Sequence, residues 1–398
     1  MIARPGHLVR RLGLAALSLA IVLAPPAGAV DTSSQLPAYG VGTHKVEWLA
    51  GGPDYVDPSG LVDLDLMGSH NIGLNRTRFR EDQVLDPATG SYTRWGQIDN
   101  LVGQSARRGV VTLPILIDMP SERLAPPRTK SARNRLASFA AAAVRRYGPN
   151  GSFWASCACP KTPIKVWEVW AEANRLDFWQ PAPSPTEYAA LLKAVRSKLR
   201  VEDPTARVLH GTLFYNPGSD GNMDANAFLR QVIAAAGWRQ FDAVGVEAYT
   251  LHYPVDPQTA VNVNIKGTVD TLRTYGGTNS NGAPRHQVWI SKLSTPGRTD
   301  ADSQTAQAAF YDQFLTLLLP KRSAWDLGPV LAYTLRDLAN PAPGDDWGLL
   351  GMRRTQSDWG DAGPKPAWGE FVERSCGGEP VNGVCPMPAA SLNLPAVR

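Results

Sequence analysis

Three ionisable side chains stand where apolar runs end. Glu172 follows Trp167-Glu168-Val169-Trp170, Glu247 sits in Val246-Glu247-Ala248-Tyr249, and Lys292 follows Val288-Trp289-Ile290-Ser291. Arg76 lies in a further run, Ile72-Gly73-Leu74-Asn75-Arg76-Thr77-Arg78-Phe79. Carboxyl groups held at strand ends are suited to proton transfer and to nucleophilic attack. An ammonium group beside them favours the ionised carboxylate and lowers its pKa. A buried Lys292 and a nearby Glu247 are expected to pair, since each satisfies the other. The chain holds no His-x-x-His or Cys-x-x-Cys spacing, and a lone Cys-x-Cys is a weak metal signal, so neither a metal nor another cofactor is expected.

The elements that must carry these residues alternate. Short apolar runs at Tyr39–Gly42, Ile72–Phe79, Val110–Ile117, Ile164–Trp170, Arg207–Leu213, Ala243–Ala248, Gln287–Ser291 and Val330–Leu335 read as strands. Segments of helical period lie between them, clearest at Arg133–Tyr147, Pro185–Arg200, Asn226–Ala236 and Ser303–Leu319. In the second of these, Leu191, Leu192, Val195 and Leu199 share one face. Eight strand–helix units place the chain in the α/β class as a single (β/α)8 TIM barrel, with its chemistry at the C-terminal strand ends. A doubly wound nucleotide-binding sheet would want a Gly-rich phosphate loop after the first strand, and none is written there.

The 398 residues are 43% hydrophobic and 19% charged, a globular composition with a formal net charge of +4. Arg4, Arg10 and Arg11 supply three of those positive charges ahead of the apolar stretch Leu12–Leu23 and the small-residue site Ala27-Gly28-Ala29. That order is the pattern of a cleaved export signal over residues 1–29, which predicts a secreted mature protein with no remaining membrane span. The rest of the chain is nearly neutral and lacks the footprint of a nucleic-acid binder. Export favours disulfides. Cys376 and Cys385 flank a short Gly- and Pro-containing loop and are expected to pair. Cys157 and Cys159 could pair with strain, stay reduced or bind a metal. The barrel is expected over residues 30–375, followed by a disulfide-tied loop and a disordered tail over residues 376–398. Oligomeric state is not written in the sequence.

The segment Trp167-Glu168-Val169-Trp170-Ala171-Glu172-Ala173-Asn174 resembles the Trp-x-x-Trp-Asn-Glu-Pro-Asn motif of clan A retaining glycoside hydrolases, particularly the actinobacterial proteins related to families 5 and 39. Arg146-Tyr147-Gly148-Pro149-Asn150-Gly151 looks like the approach to that strand, and Tyr333-Thr334-Leu335-Arg336-Asp337 looks like the eighth. The resemblance covers about Tyr39 to Arg374. It implies a carbohydrate ligand, an acid/base role for Glu172, and substrate contacts from Arg76, Trp170, Ala171, Tyr249 and Tyr333. The chain also departs from the family. Ala171 stands where an Asn would donate to the sugar 2-hydroxyl. Lys292 stands where the family carries its nucleophilic Glu, and no Glu or Asp lies within four residues of it on either side. Val246-Glu247-Ala248-Tyr249 replaces a His-x-Tyr. Retention needs two carboxyl groups about 5–5.5 Å apart. The reading is therefore a glycosidase-like carbohydrate binder with lapsed or altered hydrolysis. The alternative is a working hydrolase in which Glu172 acts with a relocated carboxylate such as Glu247.

Overall fold

The computed structural model describes residues 36–43, 58–120, 124–215, 218–249, 256–297, 300–337, 346–354, 359–378 and 385. The proposed export signal and nearly all of the proposed tail lie outside the described residues. Eight parallel strands close into one barrel: β1 (Tyr39–Gly42), β2 (Leu74–Arg80), β3 (Val111–Ile117), β4 (Val166–Val169), β5 (Arg207–Leu213), β6 (Ala243–Tyr249), β7 (Gln287–Ser294) and β8 (Leu327–Tyr333). Each strand pairs with the next in sequence, and β8 closes on β1 through Tyr39 opposite Val330. Two small antiparallel hairpins, Leu85–Asp86 with Ser91–Tyr92 and Leu350–Arg354 with Trp359–Pro364, decorate the loops.

Four of the long helices between strands start where a side chain accepts from their free N–H groups. Thr129 caps Lys130–Tyr147, accepting from the Ala132 amide. Ser184 caps Pro185–Glu202 in a Ser-Pro-Thr-Glu sequence, with proline at a position that needs no N–H. Asp224 and Asp300 cap Ala225–Ala236 and Ala301–Leu318. One apolar face of each packs on the sheet. The Leu191, Leu192, Val195 and Leu199 stripe is fully buried.

The barrel interior has its own apolar filling. Leu113, Val166, Leu209, Ala243, Trp289 and Leu331, one from each of β3 to β8, form a cluster separate from the larger core between sheet and helices. Trp289 fits there because β8 passes it at Gly328, where a Cβ would come within 2.3 Å of the indole. This layer closes the barrel below the polar mouth. Both cysteine pairs are bonded, Cys157 to Cys159 and Cys376 to Cys385.

Candidate active site

Glu168 lies on β4, and its side chain is wholly buried. Across the barrel, Arg76 of β2 grips it with two hydrogen bonds, Nε to Oε2 at 2.7 Å and Nη2 to Oε1 at 2.8 Å. Thr212 of β5 joins them, donating to Glu168 Oε1 at 2.9 Å and accepting from Arg76 Nη2 at 2.9 Å. Planar, two-point pairing of this kind is among the strongest a guanidinium makes. It forms a rigid floor, and it engages the arginine that the sequence assigned to substrate.

Beyond β4 the backbone turns sharply. Trp170 and Glu172 both have positive φ, 61° and 45°, conformations that non-glycine residues rarely hold. The Glu172 amide donates to Thr212 O at 2.9 Å, and Asn174 ties the turn to β5 by donating to Phe214 O at 2.7 Å. The turn brings the Glu172 carboxyl to the barrel mouth. It also carries Trp170 away from it. That indole is fully buried, packs edge-on against Trp179, and donates to Phe178 O at 3.0 Å. Trp170 is therefore a core residue with no surface for a ligand, contrary to the expectation of a substrate contact.

Lys292 reaches the same point through a bulge in β7. Ile290 and Leu293 pair with Val330 and Ala332 of β8, so three steps on β7 match two on its neighbour. On the other side Val246 and Glu247 of β6 face Ile290 and Lys292. The extra residue breaks the alternation, leaving Ile290 and Leu293 in the outer core while Lys292 turns into the mouth. There its ammonium donates to Glu172 Oε1 and sits 4.7 Å from the centre of the Tyr333 ring and 6.0 Å from that of Phe178. Arg175 holds the other oxygen of Glu172 at 3.1 Å and also reaches Asp177.

Lys292 pairs with Glu172 and not with Glu247, which corrects the sequence-based expectation. The turn after β4 places Glu172 Oε1 on the ammonium, and the charge balance around Glu247 is consistent with that pairing. Burial, with the Glu172 carboxylate nearby, pushes the Glu247 carboxyl up to about 8, against the pull of Lys292, Arg175 and Arg76. A neutral carboxylic acid does not compete for the ammonium. Glu247 is 2% exposed, and its Oε2 has no hydrogen-bond partner among the described residues. For Glu172, burial alone would raise the pKa. The Lys292 ammonium and the Arg175 guanidinium overcome that and hold the carboxyl below its usual range. The Lys292 ammonium is stabilised in turn: desolvation would lower its pKa, but Glu172 and Glu247 raise it.

Glu172 and Lys292 open onto a cavity of about 620 Å³, within the size range of small-molecule sites, while Glu247 and Arg175 lie behind its lining. Arg76, Arg78, Ala171, Glu172, Lys292 and Tyr333 line it, with Met119, Leu124 and Phe178 as its apolar wall. Tyr249 ends β6, but its side chain lies outside the described residues. Sequence reading missed Glu168, Thr212 and Arg175. No local signal marks them, because their partners come from barrel closure and from the turn after β4. Among the described residues no group of three His, Cys, Asp or Glu side chains is placed to hold a metal ion, and no helix is long and apolar enough to cross a membrane.

No protein-family model and no curated protein matches the chain. Solved structures do match in shape. A family 39 glycoside hydrolase from Bacteroides cellulosilyticus WH2 shares 20% identity at a TM-score of 0.58, over 85% of this chain and 63% of that one. A monomeric beta-xylosidase from Caulobacter crescentus CB15 shares 15% at 0.59, over 85% of this chain and 67% of that one. The chain folds as these glycoside hydrolases do. It thus spans less than two thirds of the family 39 enzyme's length. An endo-1,4-beta-D-mannanase from Thermotoga petrophila RKU-1 shares 10% at 0.56, over 85% of this chain and 99% of that one. At these identities the likeness is one of fold, and a glycoside-hydrolase barrel does not by itself carry an activity.

Proposed function

We propose that this chain is an exported carbohydrate-binding protein built on a glycoside-hydrolase barrel, in which the retaining hydrolytic step has been lost. One observation carries the reading: Lys292, which by resemblance stands where the family carries its nucleophile, is ion-paired to Glu172. Double displacement requires a carboxylate that forms an ester with the anomeric carbon. An ammonium group forms none. The acid/base carboxyl must also hold a proton to give the leaving oxygen, and Lys292 and Arg175 together keep Glu172 deprotonated. The cavity remains, with Tyr333 and Phe178 on its wall as aromatic surface for a sugar. Export is supported by the N-terminal charge and hydropathy pattern.

The test pairs binding with turnover. The wild-type protein is expected to bind glycans on an array and to leave aryl glycosides intact. Turnover of any aryl glycoside by the wild type, or absence of binding to every glycan, would overturn the reading. A second reading has one observation in its favour. Glu247 is held protonated near neutral pH, the state that a proton donor needs, while Glu172 is held ionised, the state that a base needs. Turnover abolished by Glu247→Gln would establish it.

A further inference from the structure

We propose that the deep end of the barrel cavity binds an anionic group carried on a sugar, a carboxylate or a sulfate ester, with Lys292 as its counter-ion. The inference rests on the carbohydrate reading above and names the class of ligand. Within the buried ion-paired network of described residues the charges do not cancel. Arg76, Arg175 and Lys292 stand against Glu168 and Glu172. Asp177 is 68% exposed at the rim, where water screens it. Glu247 remains neutral below about pH 8. One positive charge is therefore in excess in a largely buried set, and an uncompensated buried charge is costly. An anion in the cavity would offset it.

The hydrogen bonding agrees. Lys292 has three N–H donors and places one on Glu172. The other two have no oxygen acceptor among the described residues, and the side chain lines the cavity. Glu247, opposite Lys292 in the strand register, lies buried behind the lining and bears on the ligand through its charge rather than by contact. Ala171 leaves space beside Glu172. A hydroxyl would find donors here but no charge to complete. A carboxylate or sulfate would find both, and charge-assisted bonds are stronger than neutral ones.

Glu247 makes the preference pH-dependent. It is faced by Lys292 from β7, by Glu172 and Arg175 from the turn after β4, by Arg76 from β2 and by Tyr333 from β8. When it ionises, the excess positive charge disappears.

Calorimetry with four probes tests this: methyl β-glucoside, methyl β-galactoside, methyl β-glucuronide and the 6-sulfate of methyl β-glucoside. At pH 6.5 at least one anionic probe is expected to bind about tenfold or more tighter than its neutral parent. The uronide and sulfate arms distinguish the two sources of charge. The preference is expected to shrink at pH 9 in the wild type and to persist there in Glu247→Gln. Lys292→Gln is expected to abolish it, and Lys292→Arg, which keeps the charge, to retain it. Equal binding of neutral and anionic probes would overturn the proposal and leave carbohydrate binding standing. Binding of none would overturn the proposal, and only the glycan array decides the carbohydrate reading. A preference that survives in a folded Lys292→Gln protein would also refute it.

Discussion

Removing the Lys292 ammonium exposes the energetics of the site. In Lys292→Met the Glu172 carboxylate, wholly buried, keeps only Arg175. Breaking a buried pair from one side costs about 3–5 kcal/mol, because the remaining charge is left uncompensated. Lys292 is itself only 12% exposed, so solvent screening takes little from that figure. At roughly 2.1 cal/mol/K per residue, a body of about 340 residues has an unfolding entropy near 0.7 kcal/mol/K, so Tm falls by about 4–7 °C. The sign follows the pKa shifts. Glu172 is lowered from 4.5, so its contribution is present above that pH and is lost as pH falls. Lys292 is raised from 10.5, so its contribution is present below that pH and is lost as pH rises further. The Tm deficit should be largest between these limits and should shrink in acid, where Glu172 protonates. Differential scanning calorimetry of wild type, Lys292→Met, Glu172→Gln and the double variant completes the test. The double variant is expected to recover most of the loss, since a neutral pair leaves no orphaned charge in that position. A deficit under about 1 °C at pH 7, or additive losses in the double variant, would refute the reasoning.

Further outcomes follow from the same geometry. Lys292→Glu alone should not restore turnover of aryl glycosides, because Arg175 still holds Glu172 Oε2; adding Arg175→Gln and Ala171→Asn, with rates measured on an aryl-glycoside panel, is the combination expected to raise it. Glu247 has a pKa raised from 4.5 to about 8, so its stabilising share is full below 4.5 and is lost as pH rises toward 8; chemical denaturation across that range should show a decline that Glu247→Gln flattens. His210 is pushed down from 6.5 to about 4, first by burial, so stability it supports above 6.5 is lost as pH falls toward 4; His210→Phe should flatten the acid limb of a Tm–pH profile. Arg76→Met leaves Glu168 buried without its two-point partner and should cost about 3–5 kcal/mol in urea denaturation.

Much of the fold was legible because barrel strands are local. Tyr39–Gly42 and Arg207–Leu213 stand where their apolar runs lie. The misreadings have physical causes. Gln287–Ser291 was read three residues short because Lys292 looks like the polar end of a strand. The bulge instead lets β7 continue to Ser294 with Lys292 turned inward. The resemblance implies a substrate contact from Trp170, yet a positive φ turns it into the core. The positions Glu172, Glu247 and Lys292 could be read from the ends of their runs. Their pairing could not, because it depends on which carboxyl keeps its proton. That choice is made by burial and by Arg175, whose approach to Glu172 is created by the turn after β4 and has no signature in the sequence.

The most direct measurement is intact-protein mass spectrometry of the wild type after incubation with 2-deoxy-2-fluoro glycosides bearing an activated leaving group. These compounds trap a retaining site as its covalent glycosyl ester. If Lys292 stands at the nucleophile position, as the proposed function has it, the predicted result is an unchanged mass for every sugar tried. A mass increase of one fluoroglycosyl unit, mapped by peptide sequencing to any carboxylate of the barrel mouth, would contradict the loss of the retaining step.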